Sequence, residues 1–358
     1  MKVCILGDGL SSLTLAKALV NQNIYVDVLL QKKHQKFNQS RTIGISKSNT
    51  DFFNKNIINI EKLLWKLQKI EIYTENLKNE KLLNFENNEE LFSIVKNREL
   101  YQFLEKDLLK NRLFKKKFLV KKKLCFTDDY DLIINCDYFH PYTKKYFSKK
   151  IIKKYNSFAY TTIIQHEKIA NNIALQIFTK RGPLAFLPIS NNETSIVYSI
   201  YNSNDKKKEN LEELIRNYNF KYKINQICKI NSFELKSLNL RSYFNNNILA
   251  FGDLLHRIHP LAGQGFNMTI RNVKILNNII KKKQDLGLPL DSSVNTEFEN
   301  TLKHKNFIFS NGIDLIHEFF DIERKIKNDI LSKSIQFIGN NTTINKVLTK
   351  IADKGVLF

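Results

Sequence analysis

One loop in the last third of the chain constrains the fold more than any other segment. The apolar run 248–251 is typical of a buried strand, and it leads through Gly252 and Asp253 into a loop that ends in Gly-Gln-Gly at 263–265. Residues 268–280 are then predicted to form a helix. The first turn of a helix carries unpaired N–H groups and the positive end of the helix dipole, and glycine lets a ligand approach that backbone closely. The segment therefore predicts a site for an electron-rich ligand.

A second glycine motif stands at the beginning of the chain. A short apolar strand is predicted over residues 2–6, and Gly7 and Gly9 follow it in the pattern Gly-x-Gly-x-x-Ser, before a helix and a second apolar run at 24–30. A strand, a glycine turn, a helix and a strand form the opening unit of a dinucleotide-binding fold. Ser12 occupies the position of the usual third glycine, which permits close helix–strand packing, and serine is a small replacement. An ordinary tight turn is the alternative for this motif alone.

Glycine is scarce elsewhere in the chain, which strengthens both motifs. The chain has 11 glycines, and five of them lie in these two short segments. Such clustering indicates that the backbone there needs glycine, either for its conformation or for close approach of a ligand.

Together the two motifs resemble those of the FAD-dependent hydroxylases of ubiquinone biosynthesis, within the p-hydroxybenzoate-hydroxylase-like (class A) flavoprotein monooxygenases. The segment His-Pro-Leu-Ala-Gly-Gln-Gly-Phe-Asn at 259–267 is similar to the ubiquinone branch. Two further segments fit that branch, Arg-Thr-Ile-Gly-Ile-Ser at 41–46 and Gly-Pro-Leu-Ala-Phe-Leu-Pro at 182–188. The resemblance implies FAD as cofactor and NAD(P)H as co-substrate.

The resemblance also implies an α/β fold, in which a Rossmann-like FAD-binding domain is interleaved with a mostly antiparallel β-sheet substrate domain and followed by C-terminal helices. The alternation of apolar and polar residues over 155–235 independently favours the antiparallel sheet. The predicted FAD-binding domain comprises residues 1–75, 93–150 and 240–293, the substrate domain 76–92 and 151–239, and the C-terminal helical region 294–358. Among single elements, helices are predicted at 57–70 and 98–110, and strands at 118–124 and 131–137.

The predicted cofactor site combines carboxylate, backbone and guanidinium groups. Asp253, at the end of a strand and beside a glycine, can accept hydrogen bonds from the ribityl hydroxyls, while the backbone at 263–265 would donate to the pyrimidine side of the flavin. A helix N-terminus stabilises negative charge there by about 0.3–1 kcal/mol at exposed sites. Arg41 and Arg98 match family arginines near the flavin and its phosphates, with a surface or interdomain ion pair as the alternative for each. The full predicted set is Gly7, Gly9, Ser12, Gln31, Arg41, Arg98, Asp253, Pro260, Gly263, Gln264, Gly265 and Asn267.

Two positions depart from the family pattern. Gln31 stands near the place where an acidic residue usually binds the adenosine ribose, although glutamine can still donate and accept hydrogen bonds. Tyr138 follows Asp137 where the superfamily usually has Asp-Gly, a motif associated with both FAD and the nicotinamide donor. This second departure weakens the prediction of the NAD(P)H step more than that of FAD binding.

The substrate side is predicted on the segment 182–188. Its apolar residues, bracketed by prolines, suit an aromatic ring with an isoprenoid tail, although a plain core strand is the alternative. The residues predicted to line the substrate are Pro183, Leu184, Ala185 and Phe186.

The activity implied by the resemblance is hydroxylation of the aromatic ring of a prenylated phenol or quinol intermediate in ubiquinone biosynthesis. NAD(P)H would reduce FAD, and O2 would react through a flavin hydroperoxide, so no catalytic side chain is expected. One alternative is a non-catalytic flavoprotein or scaffold of a quinone-synthesis complex. Another is a different flavin enzyme, such as a prenyl reductase or a halogenase, although the single tryptophan, Trp65, leaves no paired-tryptophan motif of halogenases.

The amino-acid composition limits the kinds of partner that the chain is expected to bind and the compartment in which it is expected to lie. The net charge of +22 is spread among many asparagines and isoleucines, which favours compositional drift over nucleic-acid binding and leaves attraction to an anionic membrane as an alternative. The four cysteines show no CxxC spacing and are expected to be free thiols in a reducing cytoplasm. We expect no metal at His256 and His259, no cleaved leader and no membrane-spanning helix. The expected location is the cytoplasm, with peripheral contact at the inner membrane as an extension.

Overall fold

The computed structural model describes residues 1–31, 40–75, 81–86, 90–118, 129–201, 210–259, 263–326, 333, 336 and 342–355. The strands are β1 Lys2–Leu6, β2 Tyr25–Leu30, β3 Thr42–Ser46, β4 Trp65–Leu67, β5 Lys69–Thr74, β6 Lys81–Glu86, β7 Phe92–Lys96, β8 Phe114–Phe118, β9 Leu132–Asn135, β10 Lys150–His166, β11 Ile173–Thr179, β12 Gly182–Pro188, β13 Glu193–Tyr201, β14 Ile224–Ile227, β15 Asn231–Leu240, β16 Phe244–Asn245, β17 Ile248–Ala250 and β18 His256–Arg257. The helices are α1 Leu10–Val20, α2 Lys47–Asn56, α3 Asn97–Leu108, α4 Pro141–Tyr146, α5 Leu211–Tyr218, α6 Gln264–Asp285, α7 Ser292–Ile326 and α8 Thr342–Lys354.

A six-stranded sheet carries both glycine motifs. Its order is β16-β17-β9-β1-β2-β8, and all neighbours are parallel except β16 and β17. The inner strands are buried on both faces, which explains their continuous apolar runs. One large core joins this sheet to residues of α1, α3, α6 and the start of α7.

A nine-stranded sheet forms the second large layer. Along its main path the order is β18-β15-β10-β13-β12-β11-β5-β6, with β14 paired to β10, and all pairs are antiparallel except β5 with β11. One face packs against α5, and the other contributes Phe178 to a cluster with Met268 of α6 and Phe309 of α7. A three-stranded sheet, β3-β7-β4, packs between the two large sheets, where Phe92 and Ile94 contact Ala174.

The mixed α/β architecture predicted from the sequence is confirmed, and so are several of its elements, among them the strand predicted at 2–6 and the helix predicted at 268–280. Helix α3 matches the predicted helix at 98–110, and β9 lies in the central sheet as the strand predicted at 131–137 should. The alternating region 155–235 does form antiparallel strands, although α5 within it was missed.

The helix predicted at 57–70 is wrong. This segment holds a short 3-10 turn at Glu61–Leu63 and strand β4, while the helix lies earlier, as α2. The Asn54 side chain turns the chain, since its Oδ1 accepts from the Ile60 N–H at 2.9 Å. Trp65 then pairs with Ile94 in the three-stranded sheet. Tertiary pairing thus overrides the local helical pattern.

The strand predicted at 118–124 falls almost wholly outside the described residues. The strand observed just before it is β8. Its sequence, Phe-Lys-Lys-Lys-Phe, is mostly charged, so a search for apolar runs does not predict a strand there. It lies at the edge of the six-stranded sheet, where lysines are common because they discourage pairing with other chains.

The domain boundaries given above remain a prediction. Strand β5 belongs to the nine-stranded sheet, and this favours a first boundary before residue 69 instead of at residue 75. Pro260 and Cys125 lie outside the described residues.

Candidate functional site

The two glycine motifs meet at one edge of the six-stranded sheet. Strands β1 and β17 both run parallel to β9, so their carboxyl ends, where the motifs begin, lie side by side. Gly252 adopts a φ of +64°, and a Cβ at this position would lie 2.8 Å from the Cβ of Ser11. Only glycine allows the second motif to pack this closely on the first.

Two helix N-termini present bare backbone to open space beside this contact. Gly9 is the N-cap residue of α1, and Gly265 lies in the first turn of α6. At both positions, apart from the adjacent residues and the helix's own backbone, no atom of the described chain lies within 4 Å of where a Cβ would project. Unpaired N–H groups and the positive ends of two helices therefore face open space that a side chain would fill. We call this space the cradle.

The floor of the first motif is tightly packed. Gly7 has a φ of +91°, donates its N–H to the Leu29 carbonyl at 2.9 Å, and would bring a Cβ to 3.1 Å from the Cβ of Asp137. Ser12, at the position of the third glycine, is fully buried, with its hydroxyl beside the Cys136 thiol. A small residue is thus needed there, and serine meets that need. Asp253, by contrast, is exposed at the edge of the cradle.

The two predicted arginines are neighbours. The Asn97 N–H donates to the Arg41 carbonyl at 3.0 Å, which places Arg98 next to Arg41 across the three-stranded sheet. Both side chains are exposed, and neither forms an ion pair or hydrogen bond with any residue in the described ranges. One turn further along α3, the Tyr101 hydroxyl contacts Asp8 Oδ2 at 3.4 Å, so the start of α3 lies beside the first glycine motif. Two uncommitted positive charges therefore stand close to the cradle.

Asn267 joins α6 to β3, the strand that begins directly after Arg41. Its Oδ1 accepts from the Ser46 N–H and from Asn49 Nδ2, both at 2.9 Å. Its Nδ2 donates to the carbonyls of Gly44 at 3.1 Å and Gly263 at 3.3 Å. Because the amide is fully buried and occupied on both sides, we assign Asn267 a positioning role and not direct contact with a cofactor.

We expect Asn267→Ala to destabilise the protein by about 3 kcal/mol. Each polar partner left buried and unsatisfied costs about 1–3 kcal/mol, partly offset by relaxation of the site. Urea unfolding followed by circular dichroism measures the loss. Asn300→Ala is the control, since Asn300 is exposed on α7 and surface changes stay within about 0.5 kcal/mol. A similar effect of the two substitutions would show that the four hydrogen bonds contribute little.

Gln264 turns its side chain away from the cradle. It is 3% exposed, and its Oε1 accepts from Arg271 Nη2 at 3.2 Å. Burial lowers the pKa of Arg271 to about 10, which still leaves the guanidinium charged at neutral pH. Gly355 packs directly on this guanidinium, and Asp353 accepts from the Ser48 N–H at 2.8 Å. The end of the chain thus supports α2 and α6, and Gln264 has only its backbone to offer a ligand.

The two departures from the family pattern have different surroundings. Gln31 is exposed directly after β2. Tyr138 lies between two cations, with Lys150 Nζ 3.0 Å from its hydroxyl and the Arg257 guanidinium 4.8 Å from its ring centre. Its bulky side chain is therefore held against β10 and β18, and the contact between Gly7 and the backbone of Asp137 is preserved.

The four residues predicted to line the substrate lie on β12, and because side chains alternate along a strand, they fall on two opposite faces of the sheet. Leu184 and Phe186 belong to the cluster packed under α5. They therefore face away from the side on which the substrate was predicted, and the predicted lining is corrected by removing them. Pro183 faces the opposite side, where it lines a pocket with Tyr201, His317 and Phe320. Ala185 follows Pro183 by two residues and shares its face.

The histidines of the second motif differ sharply. His256 is buried and bonded to Asn272 Nδ2 at 2.7 Å, and burial lowers its pKa to about 4. His259 is buried without such a bond and packs on Tyr155 and His317. Sequence reasoning missed Tyr155, His317 and their partners, because no local pattern links residues from two strands, a loop and a distant helix. No cluster of three or more metal-ligating side chains occurs within the described ranges.

Sequence comparisons with known proteins give matches over part of the chain. No family model matches the chain. It is 27% identical over 164 residues to 3-demethoxyubiquinol 3-hydroxylase of Escherichia coli (strain K12), covering 44% of this chain and 42% of that protein. It is 25% identical over 195 residues to the mitochondrial ubiquinone biosynthesis monooxygenase COQ6 of Danio rerio, covering 43% of this chain and 40% of that protein. The matches thus span about two fifths of these relatives.

Two solved structures share the whole fold. HpxO of Klebsiella pneumoniae, solved with FAD and uric acid, superposes with a TM-score of 0.75 at 14% identity, covering 99% of this chain and 97% of that one. PqsL of Pseudomonas aeruginosa, a probable FAD-dependent monooxygenase, gives a TM-score of 0.70 at 14% identity over 94% of this chain and 99% of that one. The fold is that of the FAD-dependent monooxygenases. Within that class the sequence similarity is to the ubiquinone-biosynthesis hydroxylases, which confirms the resemblance inferred from the motifs.

Proposed function

We propose that the protein is an FAD-dependent monooxygenase that hydroxylates the aromatic ring of a prenylated phenol or quinol intermediate in ubiquinone biosynthesis, using NAD(P)H and O2. The observation that carries the proposal is the cradle, where two distant glycine motifs converge and leave two helix N-termini facing open space. The names of the sequence relatives support the pathway, and the shared fold supports the class.

The residues around the cradle fit FAD. The backbone at Gly9, with Arg41 and Arg98, would hold the diphosphate, since helix N-termini and guanidinium forks both bind phosphate oxygens. Asp253 is exposed and free to accept from the ribityl hydroxyls. The backbone at Gly265 would face the isoalloxazine. Substituting a larger residue at either glycine would fill the space that the cofactor requires.

Bound FAD would supply the redox chemistry, accepting a hydride from NAD(P)H and activating O2. The chain's own contribution is positioning and charge stabilisation. The positive end of α6 favours negative charge on the reduced ring, by up to about 2 kcal/mol when partly buried.

The substrate side lies on the face of the nine-stranded sheet that packs towards α6 and α7. Phe178, Phe309 and Ile313 form an apolar cluster there with Met268, four residues after Gln264 at the start of α6. Pro183 and Ala185 lie on the same face. Such a surface suits an aromatic ring and a prenyl tail.

We further propose a cytoplasmic location with peripheral contact at the anionic inner membrane, supported by the net charge of +22 and by a lipid-tailed substrate. None of the described helices is long and apolar enough to span a bilayer. Membership of a quinone-synthesis complex is part of the same proposal.

Purified protein tests the function directly. We expect one FAD per chain, and NAD(P)H oxidation that rises when a prenylated phenol is added, with oxygen-18 from labelled O2 appearing in the hydroxylated product. Reduction should bleach the flavin spectrum anaerobically. Tight FAD binding with no response to NAD(P)H would instead favour the non-catalytic scaffold, and a chain that binds no FAD would contradict the proposal.

A further inference from the structure

A buried group of histidine, tyrosine and aspartate side chains lies at the boundary between the loop before α6, the nine-stranded sheet and α7. We call it the His259 cluster. Its members are His259 from the loop, Tyr155 from β10, Tyr201 from β13, and Asp314 and His317 from α7.

All but one member of the cluster have polar partners. The Tyr155 hydroxyl donates to the Asp314 carboxylate, and the Tyr201 hydroxyl lies 3.1 Å from His317 Nε2. His259 is the exception, because neither ring nitrogen has a hydrogen-bond partner in the described part of the chain, although the side chain is 1% exposed. Buried polar atoms are nearly always paired, and a neutral imidazole offers one donor and one acceptor. The structure therefore holds a polar group that still needs a partner.

Packing fixes the imidazole rigidly. The Tyr155 ring meets it edge to face, with ring centres 5.0 Å apart and an interplanar angle of 87°. The His317 ring lies on another side, with centres 4.4 Å apart. A ring held between two aromatic neighbours has a defined orientation, which is what a site for a directional hydrogen bond requires.

The position of His259 relates it to the substrate side. It precedes Gly263, the N-cap of α6, by four residues. His317 and Tyr201 line a pocket whose other residues are partly apolar, as at Phe178 and Phe320, and partly polar or charged, as at Glu75. His259 packs directly behind His317. The cluster thus places one unsatisfied polar side chain directly behind a side chain that lines this pocket.

We propose that His259 forms a hydrogen bond with a hydroxyl group on the aromatic ring of the substrate, and that this bond selects hydroxylated rings. The inference deepens the proposed function and rests on it. No covalent bond forms or breaks in this step, since the ring hydroxyl donates a hydrogen bond to an imidazole nitrogen and keeps its proton.

The electrostatic surroundings keep the imidazole able to accept. Burial, and then the nearby His317, hold the pKa of His259 well below its ordinary range, so it stays neutral at physiological pH. The other titratable groups of the cluster are Tyr155, Tyr201 and Asp314, and burial raises the pKa of Asp314. A site built to bond a hydroxyl discriminates against analogues without it by up to about 10⁴-fold, because its own polar group is then left unpaired.

Binding of a matched pair of ligands to the purified protein tests the proposal. The probes are 2-prenylphenol and its methyl ether, titrated calorimetrically into both FAD-loaded and cofactor-free protein. The variants are His259→Leu, which removes the acceptor, and His259→Gln, which keeps one. His304→Gln is the control, since His304 is exposed on α7. In parallel, ring-nitrogen NMR of histidine-labelled wild-type protein reports which imidazole responds, without any substitution.

We expect wild-type protein and His304→Gln to bind the phenol on the order of 100-fold or more tightly than the ether. His259→Leu should abolish that ratio, and His259→Gln should restore part of it. In the NMR spectrum the phenol should shift the nitrogens of His259. Equal binding of phenol and ether by wild type, an unchanged ratio in His259→Leu, or no shift at His259 would each overturn the inference. If NAD(P)H oxidation with phenol persists in any of these cases, the proposed function survives, whereas absence of FAD binding counts against the function itself.

Discussion

Replacing Gly9 or Gly265 with valine will weaken FAD binding at least 100-fold, or about 2.7 kcal/mol, and will leave the fold intact. Most glycine substitutions in a core destabilise because the new side chain meets its neighbours. At these two positions, nothing in the described chain lies within 4 Å of a new Cβ. Gly9 has an ordinary φ of −66°, so valine meets no backbone strain there. The new methyl groups would instead occupy the space of the diphosphate and the isoalloxazine. Titration of FAD fluorescence measures the affinity, and thermal unfolding of cofactor-free protein measures stability.

Gly312→Val is the matched control for these substitutions. Gly312 also has no atom within 4 Å of its Cβ position, but it lies in α7, away from both glycine motifs. We expect its FAD affinity to equal that of the wild type. Normal FAD binding by the Gly9 and Gly265 variants would show that the open space is not where the cofactor lies.

Removing both arginines should have the second largest effect. We expect Arg41→Gln and Arg98→Gln each to weaken FAD binding by about tenfold, and the double variant by about 100-fold. Charge-assisted bonds to phosphate are worth roughly 1.5–3 kcal/mol each, and both guanidinium groups are exposed, which reduces the contribution. Stability should change little, because neither side chain is paired with another described residue. Wild-type affinity should also fall with added salt, and the double variant should lose most of that dependence.

Arg216→Gln provides the comparison for charge alone. Arg216 is exposed on α5, on the far side of the nine-stranded sheet. The substitution therefore removes one positive charge without changing any residue at the cradle. We expect wild-type affinity from it. If it weakened FAD binding as much as Arg41→Gln does, the arginines would act only through the overall charge of the protein.

The sequence allowed prediction of the architecture and of the two motifs that build the cradle. Glycine is informative because few residues can replace it where the backbone has a positive φ or packs closely. Gly7 and Gly252 both show these constraints. The strand–turn–helix order around each motif also places the motifs at one sheet edge, since carboxyl ends of parallel strands lie together.

Other features depend on contacts that no local pattern encodes. The apolar segment at 182–188 indicated a strand, but only the pairing of β12 with its neighbours shows that Leu184 and Phe186 face α5. Asn267 looked like a cofactor ligand, and its role as a link between α6 and β3 appears only once both elements are in place. The His259 cluster draws on residues more than 100 positions apart, such as Tyr155 and His317.

A crystal structure of the protein with FAD tests the central claim most directly. We predict one FAD molecule that spans both motifs, with its diphosphate within hydrogen-bond distance of the Gly9 backbone and its isoalloxazine ring against the backbone at Gly265. Electron density for a dinucleotide that contacts only one of these two glycines, or that lies elsewhere on the protein, would contradict the account.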